Sequence, residues 1–131
     1  MKGFKILFCM ILTMMFSQAF ATDTDISGKY SCSGASSDGS NAYTQPLVIA
    51  KHGDGFSFQW LNSDTEFPQY IGTGVYNTSV PNAIAVAYQD AKDPKTTAVT
   101  FYQIKPDGSL HGVWLYIGNK TGGKEDCTKS S

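Results

Sequence analysis

The chain has 131 residues, 41% hydrophobic, 13% aromatic and only 16% charged, a size that accommodates one globular domain and excludes a second of similar extent. Thirteen glycines, three cysteines, few charges and no arginine point to a small β-protein of an oxidising compartment, and away from a helical bundle or a disordered chain. Ten lysines against eleven acids give a net charge of −1; without Lys2 and Lys5, which lie in the leader described next, eight lysines leave −3, which argues against nucleic acid as a partner.

Residues 1–21 read MKGFKILFCMILTMMFSQAFA: two lysines, an apolar run from Ile6 to Phe16, then Ala19-Phe20-Ala21. This order predicts a secretory signal peptide cleaved after Ala21. The apolar run of about 11 residues is too short for a membrane span, which takes roughly 20, and Phe8 directly before Cys9 does not suit a lipidation site. Cleavage leaves residues 22–131 as a single domain, secreted or periplasmic. It also removes Cys9, so Cys32 and Cys127 remain as an even pair, expected to form a disulfide. A reactive thiol would want a CxxC or a paired histidine, and neither occurs.

Beyond the leader, apolar residues recur with period two between clusters of Gly, Asn, Asp and Pro, an all-β pattern. Strands are expected at about 28–33, 43–50, 55–60, 67–78, 82–89, 96–104, 109–117 and 123–128. The third is the cleanest: Phe56, Phe58 and Trp60 share one face, Ser57 and Gln59 the other. Turns are signalled by His52-Gly53-Asp54-Gly55, Pro81-Asn82, Asp93-Pro94 and Lys105-Pro106-Asp107-Gly108. Short turns favour an antiparallel up-and-down meander of about eight strands, closed or nearly closed into a barrel. Since a disulfide needs Cα atoms within about 7 Å, Cys32 and Cys127 should make the first and last strands neighbours. An open sheet with its ends tied by a loop is the alternative. Gly72, Gly74 and Gly112 interrupt good strands, which suggests a bend or space for a facing ring, or else a backbone that a ligand approaches.

Reactive constellations are scarce. His52 and His111 do not make a metal site, and HExxH and CxxC spacings are missing, so no metal or other cofactor is expected. There is no GxSxG elbow, and Thr121-Gly122-Gly123-Lys124 has no helix after it to make a phosphate loop. The acid pairs Asp64/Glu66 and Glu125/Asp126 read as solvated charges, and Asp90, Asp93 and Asp107 as turn residues. The chain therefore reads as non-enzymatic. Aromatics are the stronger clue, because Tyr and Trp combine an apolar body with a polar tip and favour ligand walls and interfaces. Trp60, Tyr70, Tyr88 and Trp114 are the candidate binding residues. Leu115 joins them because both faces of its strand are apolar, Leu110, Trp114 and Tyr116 on one and Val113, Leu115 and Ile117 on the other, so one face needs a cover. Phe56, Phe58, Trp60, Phe101 and Trp114 would fill a barrel, whereas Ala83, Ala85, Ala87, Gly72 and Gly74 would leave room in it. The sequence does not settle which parity faces inward.

The segments Gly28-Lys29-Tyr30-Ser31-Cys32, Tyr70-Ile71-Gly72-Thr73-Gly74, Tyr102 through Trp114 and Glu125-Asp126-Cys127 resemble a group of small secreted bacterial β-proteins, mostly uncharacterised and sometimes labelled fibronectin-binding. The likeness spans nearly all of residues 22–131 and implies an extracytoplasmic binding protein, without fixing its binding residues. The Gly-x-Trp meander is also distantly similar to avidin and other calycin barrels, which implies a small-ligand site. Ser27-Gly28-Lys29-Tyr30 approximates the inhibitory loop of periplasmic lysozyme inhibitors, one residue short. The first expectation is thus a binding protein that recognises an extracellular-matrix or host protein through an aromatic-rich surface, with a homodimer as a further possibility. The second is a carrier of a small hydrophobic ligand inside the barrel mouth.

Overall fold

A computed structural model describes residues 24–131. The expected signal peptide, its cleavage after Ala21 and Cys9 lie outside the described residues. Eight strands follow in series: β1 (Gly28–Ser36), β2 (Tyr43–His52), β3 (Gly55–Leu61), β4 (Pro68–Tyr76), β5 (Ala83–Asp90), β6 (Thr97–Ile104), β7 (Leu110–Tyr116) and β8 (Gly122–Lys129). Each pairs antiparallel with the next, and β1 pairs with β8, so the meander closes into a barrel. β1 runs past its expected end because Ala35 and Ser36 pair with Lys124 and Gly123 across this seam. Cys32 lies directly opposite Cys127, and the two are joined by a disulfide with Cα atoms 4.0 Å apart.

Alternation along the strands divides inside from outside. Tyr30, Cys32, Leu47, Ile49, Phe56, Phe58, Ile84, Val86, Tyr102, Ile104 and Leu110 fill one half of the barrel. Phe58 stacks on Tyr102, with ring centroids 6.2 Å apart, and on Trp60 at 5.6 Å. The chain just before β1 closes this base. Ile26 is buried, the Tyr30 hydroxyl donates to its carbonyl at 2.8 Å, and the Tyr76 hydroxyl donates to the Thr24 carbonyl at 2.7 Å. Tyr30 is therefore an interior residue of β1.

The glycines leave space for rings. A Cβ at Gly74 would stand 2.6 Å from Cε2 of Phe58, and one at Gly112 would stand 2.5 Å from Cδ1 of Tyr102. Two expectations about filling are corrected. Phe101 pairs with Ala85 and Val113 on the outer parity, where it is about half exposed, so it fills nothing inside. Ala85 and Ala87 are also outward and open no interior space. The turn readings at Asp90, Asp93 and Asp107 match the structure: their carboxylates accept N–H bonds from Lys92, Lys95 and Ser109, at 2.7, 3.2 and 2.9 Å. Gly53 and Gly108 take the positive φ that their turns require, 57° and 83°.

The disulfide closes a loop 95 residues long in sequence separation. Chain entropy then predicts that reduction, or a Cys32→Ser/Cys127→Ser double variant, lowers unfolding free energy by roughly 4–5 kcal/mol. Urea denaturation with and without reductant measures this. A barrel equally stable in both states would mean that hydrogen bonding alone holds the β1–β8 seam.

Candidate functional site

The other end of the barrel, ringed by the β1–β2, β3–β4, β5–β6 and β7–β8 loops, opens into a cavity of about 440 Å³. Its walls are aromatic. Tyr88 leans on Trp60 with centroids 4.9 Å apart and meets Tyr70 edge-on at 5.8 Å. Tyr116 meets Trp114 edge-on at 5.6 Å, and its hydroxyl pairs with that of Tyr70 at 3.3 Å. These rings line the cavity and leave its centre open. Gly123 permits the position of Trp114, because any side chain there would collide with the indole ring. The rim is polar, with Asn41, Gln45, Asn62, Asp64, Gln69 and Thr121 among its residues.

The cavity floor is organised by Glu125. This carboxylate is only 4% exposed and accepts three hydrogen bonds from three different strands. Oε1 takes the Trp60 indole N–H at 3.1 Å and a very short bond from the Tyr102 hydroxyl, while Oε2 takes the Tyr43 hydroxyl at 2.8 Å. Isolated burial of a carboxylate is costly, and charge-assisted donors of this kind are what offset it. Burial, reinforced by the Glu125 charge, pushes the Tyr102 and Tyr43 hydroxyls well above the usual tyrosine range. Burial is also the main cause of the rise at Tyr70 and Tyr88. All four stay protonated at neutral pH. The Trp114 Nε1 is buried without a hydrogen-bond partner, although it lies close enough to the Tyr43 oxygen to oppose part of that hydroxyl's rise.

This corrects the reading of Glu125 and Asp126 as a solvated pair. Asp126 faces outward and meets His111 Nδ1 at 3.2 Å, as befits an exposed histidine, but Glu125 shares the inward face of β8 with Cys127. Their spacing of two residues was the available signal: a cysteine bonded inside the barrel takes the residue two positions away inside with it. Cys32, Cys127 and Glu125 lie together, but both sulfurs are in the disulfide, so the trio offers a metal one carboxylate.

Of the residues singled out from sequence, Trp60, Tyr70, Tyr88 and Trp114 are brought together around the cavity. Leu115 is not among them: it sits on the outer wall, 46% exposed. Glu125, Tyr43, Tyr102 and Tyr116 complete the site. Among the described residues no helix is long and apolar enough to cross a membrane. No protein-family model matches the chain, and no curated protein sequence is significantly similar to it.

Two outcomes follow from the floor. Glu125→Ala leaves three donors without their acceptor and, at about 1 kcal/mol or more for each, should lower stability by about 3 kcal/mol or more in urea denaturation, with loss of near-ultraviolet tyrosine and tryptophan signal. In an absorbance titration at 295 nm, Tyr43, Tyr70, Tyr88 and Tyr102 keep protons that the unfolded chain releases near pH 10. Stability therefore holds below about pH 10 and falls as pH rises past it. Ionisation of all seven tyrosines in the folded protein at that pH would contradict the structure.

Proposed function

We propose that the protein is an extracytoplasmic carrier whose barrel mouth binds a small organic ligand. The observation that carries this reading is the convergence of four aromatic residues, Trp60, Tyr70, Tyr88 and Trp114, on one interior cavity above a hydrogen-bonded carboxylate. A volume of about 440 Å³ falls within the usual range for small-molecule sites, and apolar walls with a few convergent polar groups are their usual chemistry. The rigid base and the disulfide seam suit a preformed site, which loses little entropy on binding. The disulfide also supports the secreted or periplasmic compartment expected from the leader.

A protein partner is the second reading, and the outer wall is what favours it. Strand register sets Val75, Ala85, Phe101 and Val113 in one row and Thr73, Ala87, Val99 and Leu115 in the next. Val75, Val99, Phe101, Val113 and Leu115 are each about half exposed. The two alanines form the floor of a shallow apolar groove, which Lys120 and Lys124 border on the β8 side. A surface of this kind is the feature that a matrix protein, a host protein or a second copy of the chain would cover.

Trp60 and Trp114 are the only tryptophans in the chain and both line the cavity, so intrinsic fluorescence reports directly on it. Titration with a library of metabolite-sized compounds should give at least one saturable change in emission, weakened about tenfold or more by Tyr88→Ala. An emission spectrum that no compound alters would overturn the carrier reading. For the outer wall, Leu115→Lys should change unfolding free energy by less than about 0.5 kcal/mol while abolishing any association. A collapse of thermal stability would instead make Leu115 a structural residue.

A further inference from the structure

The carrier reading leaves the chemistry of the ligand open, and the charges around the cavity narrow it. No lysine, arginine or histidine is among the lining residues, whereas Glu125 lies at the floor and Asp64 at the rim. Glu125 makes no ion pair with any described residue; its three partners are neutral donors. The walls add to the same sign, because the faces of Trp and Tyr rings carry the negative side of the aromatic quadrupole. The hydroxyl oxygens of Tyr43, Tyr70, Tyr102 and Tyr116 are held in place by hydrogen bonds and add their own partial negative charge. A low-dielectric cup of this composition repels carboxylates and phosphates and attracts a cation, and such attraction strengthens as water is displaced.

We infer that the mouth selects a small organic ammonium compound, with its cationic group held against the rings of Tyr88 and Trp114 above the Glu125 carboxylate. This rests on the carrier reading and specifies its ligand class. The rings favour an alkylated ammonium, whose diffuse charge loses less hydration than a bare one on meeting aromatic faces. A quaternary or tertiary amine meets this preference.

The test compares three compounds of nearly one shape: choline, its uncharged carbon isostere 3,3-dimethylbutan-1-ol, and the anion 3,3-dimethylbutanoate. Each is titrated against the oxidised protein and followed by tryptophan emission. Choline should bind at least about tenfold more tightly than the alcohol, and the anion should be the weakest. In Glu125→Gln, with its fold checked by near-ultraviolet circular dichroism, the preference for choline over the alcohol should shrink to within about threefold. Should that variant fail to fold, the ranking on the unaltered protein decides the matter by itself. Equal or tighter binding of the alcohol or the anion would overturn the cation assignment and leave the carrier reading standing. Failure of all three to alter emission would also overturn it, and the carrier reading would then be judged by the wider library.

Discussion

A single carboxylate ties the upper half of this barrel together. Glu125 on β8 receives Tyr43 from β2, Trp60 from β3 and Tyr102 from β6, so its two oxygens connect strands on opposite sides of the barrel. Burial of a carboxylate with fewer donors would cost several kcal/mol, and the structure meets that cost with three directed bonds. Each bond in turn fixes a ring. Trp60 is held where Tyr88 can lean on it, Tyr102 where Phe58 can stack, and Tyr43 beside Trp114. The cavity floor is thus a rigid hydrogen-bonded layer, with a disulfide immediately beneath it on the same face of β8.

The contrast between the two halves of the barrel follows from side-chain shape. At the base, Phe56, Phe58, Ile49, Ile84, Val86, Ile104 and Leu110 have no polar ends to satisfy and pack to the centre, and Ile26 closes the opening. Toward the mouth the inward positions are Tyr70, Tyr88, Trp114 and Tyr116, large amphipathic rings that line the cavity, with the Tyr70 and Tyr116 hydroxyls paired. A barrel of eight strands is just wide enough for its side chains to fill it or to enclose one small ligand. Filled at one end and lined at the other, this chain combines a stable base with a preformed pocket.

Much of this was legible in the sequence, and the remainder was hidden for identifiable reasons. Period-two alternation and Gly, Pro and Asp turn signals placed all eight strands, and the positions of Cys32 and Cys127 implied the β1–β8 seam, because each feature is local or nearly so. Parity was harder. In β6 and β7 both faces are apolar, so alternation alone could not say that Thr100 and Tyr102 turn inward while Val99 and Phe101 turn out. Phe101 was accordingly counted as filling, and Leu115 grouped with residues from which the barrel wall separates it. Glu125 was hidden by its charge: beside Asp126 near the end of the chain it read as solvated, and only its phase with Cys127 gave its burial away.

We propose that the interior cup, rather than the outer wall, is where this protein meets its ligand. Native mass spectrometry of the protein recovered from the secreted or periplasmic fraction of its own cells tests this most directly. The account predicts an oxidised chain carrying a non-covalent adduct of small-molecule mass, released on unfolding. A bare oxidised chain that retains another protein in place of a small molecule would contradict it.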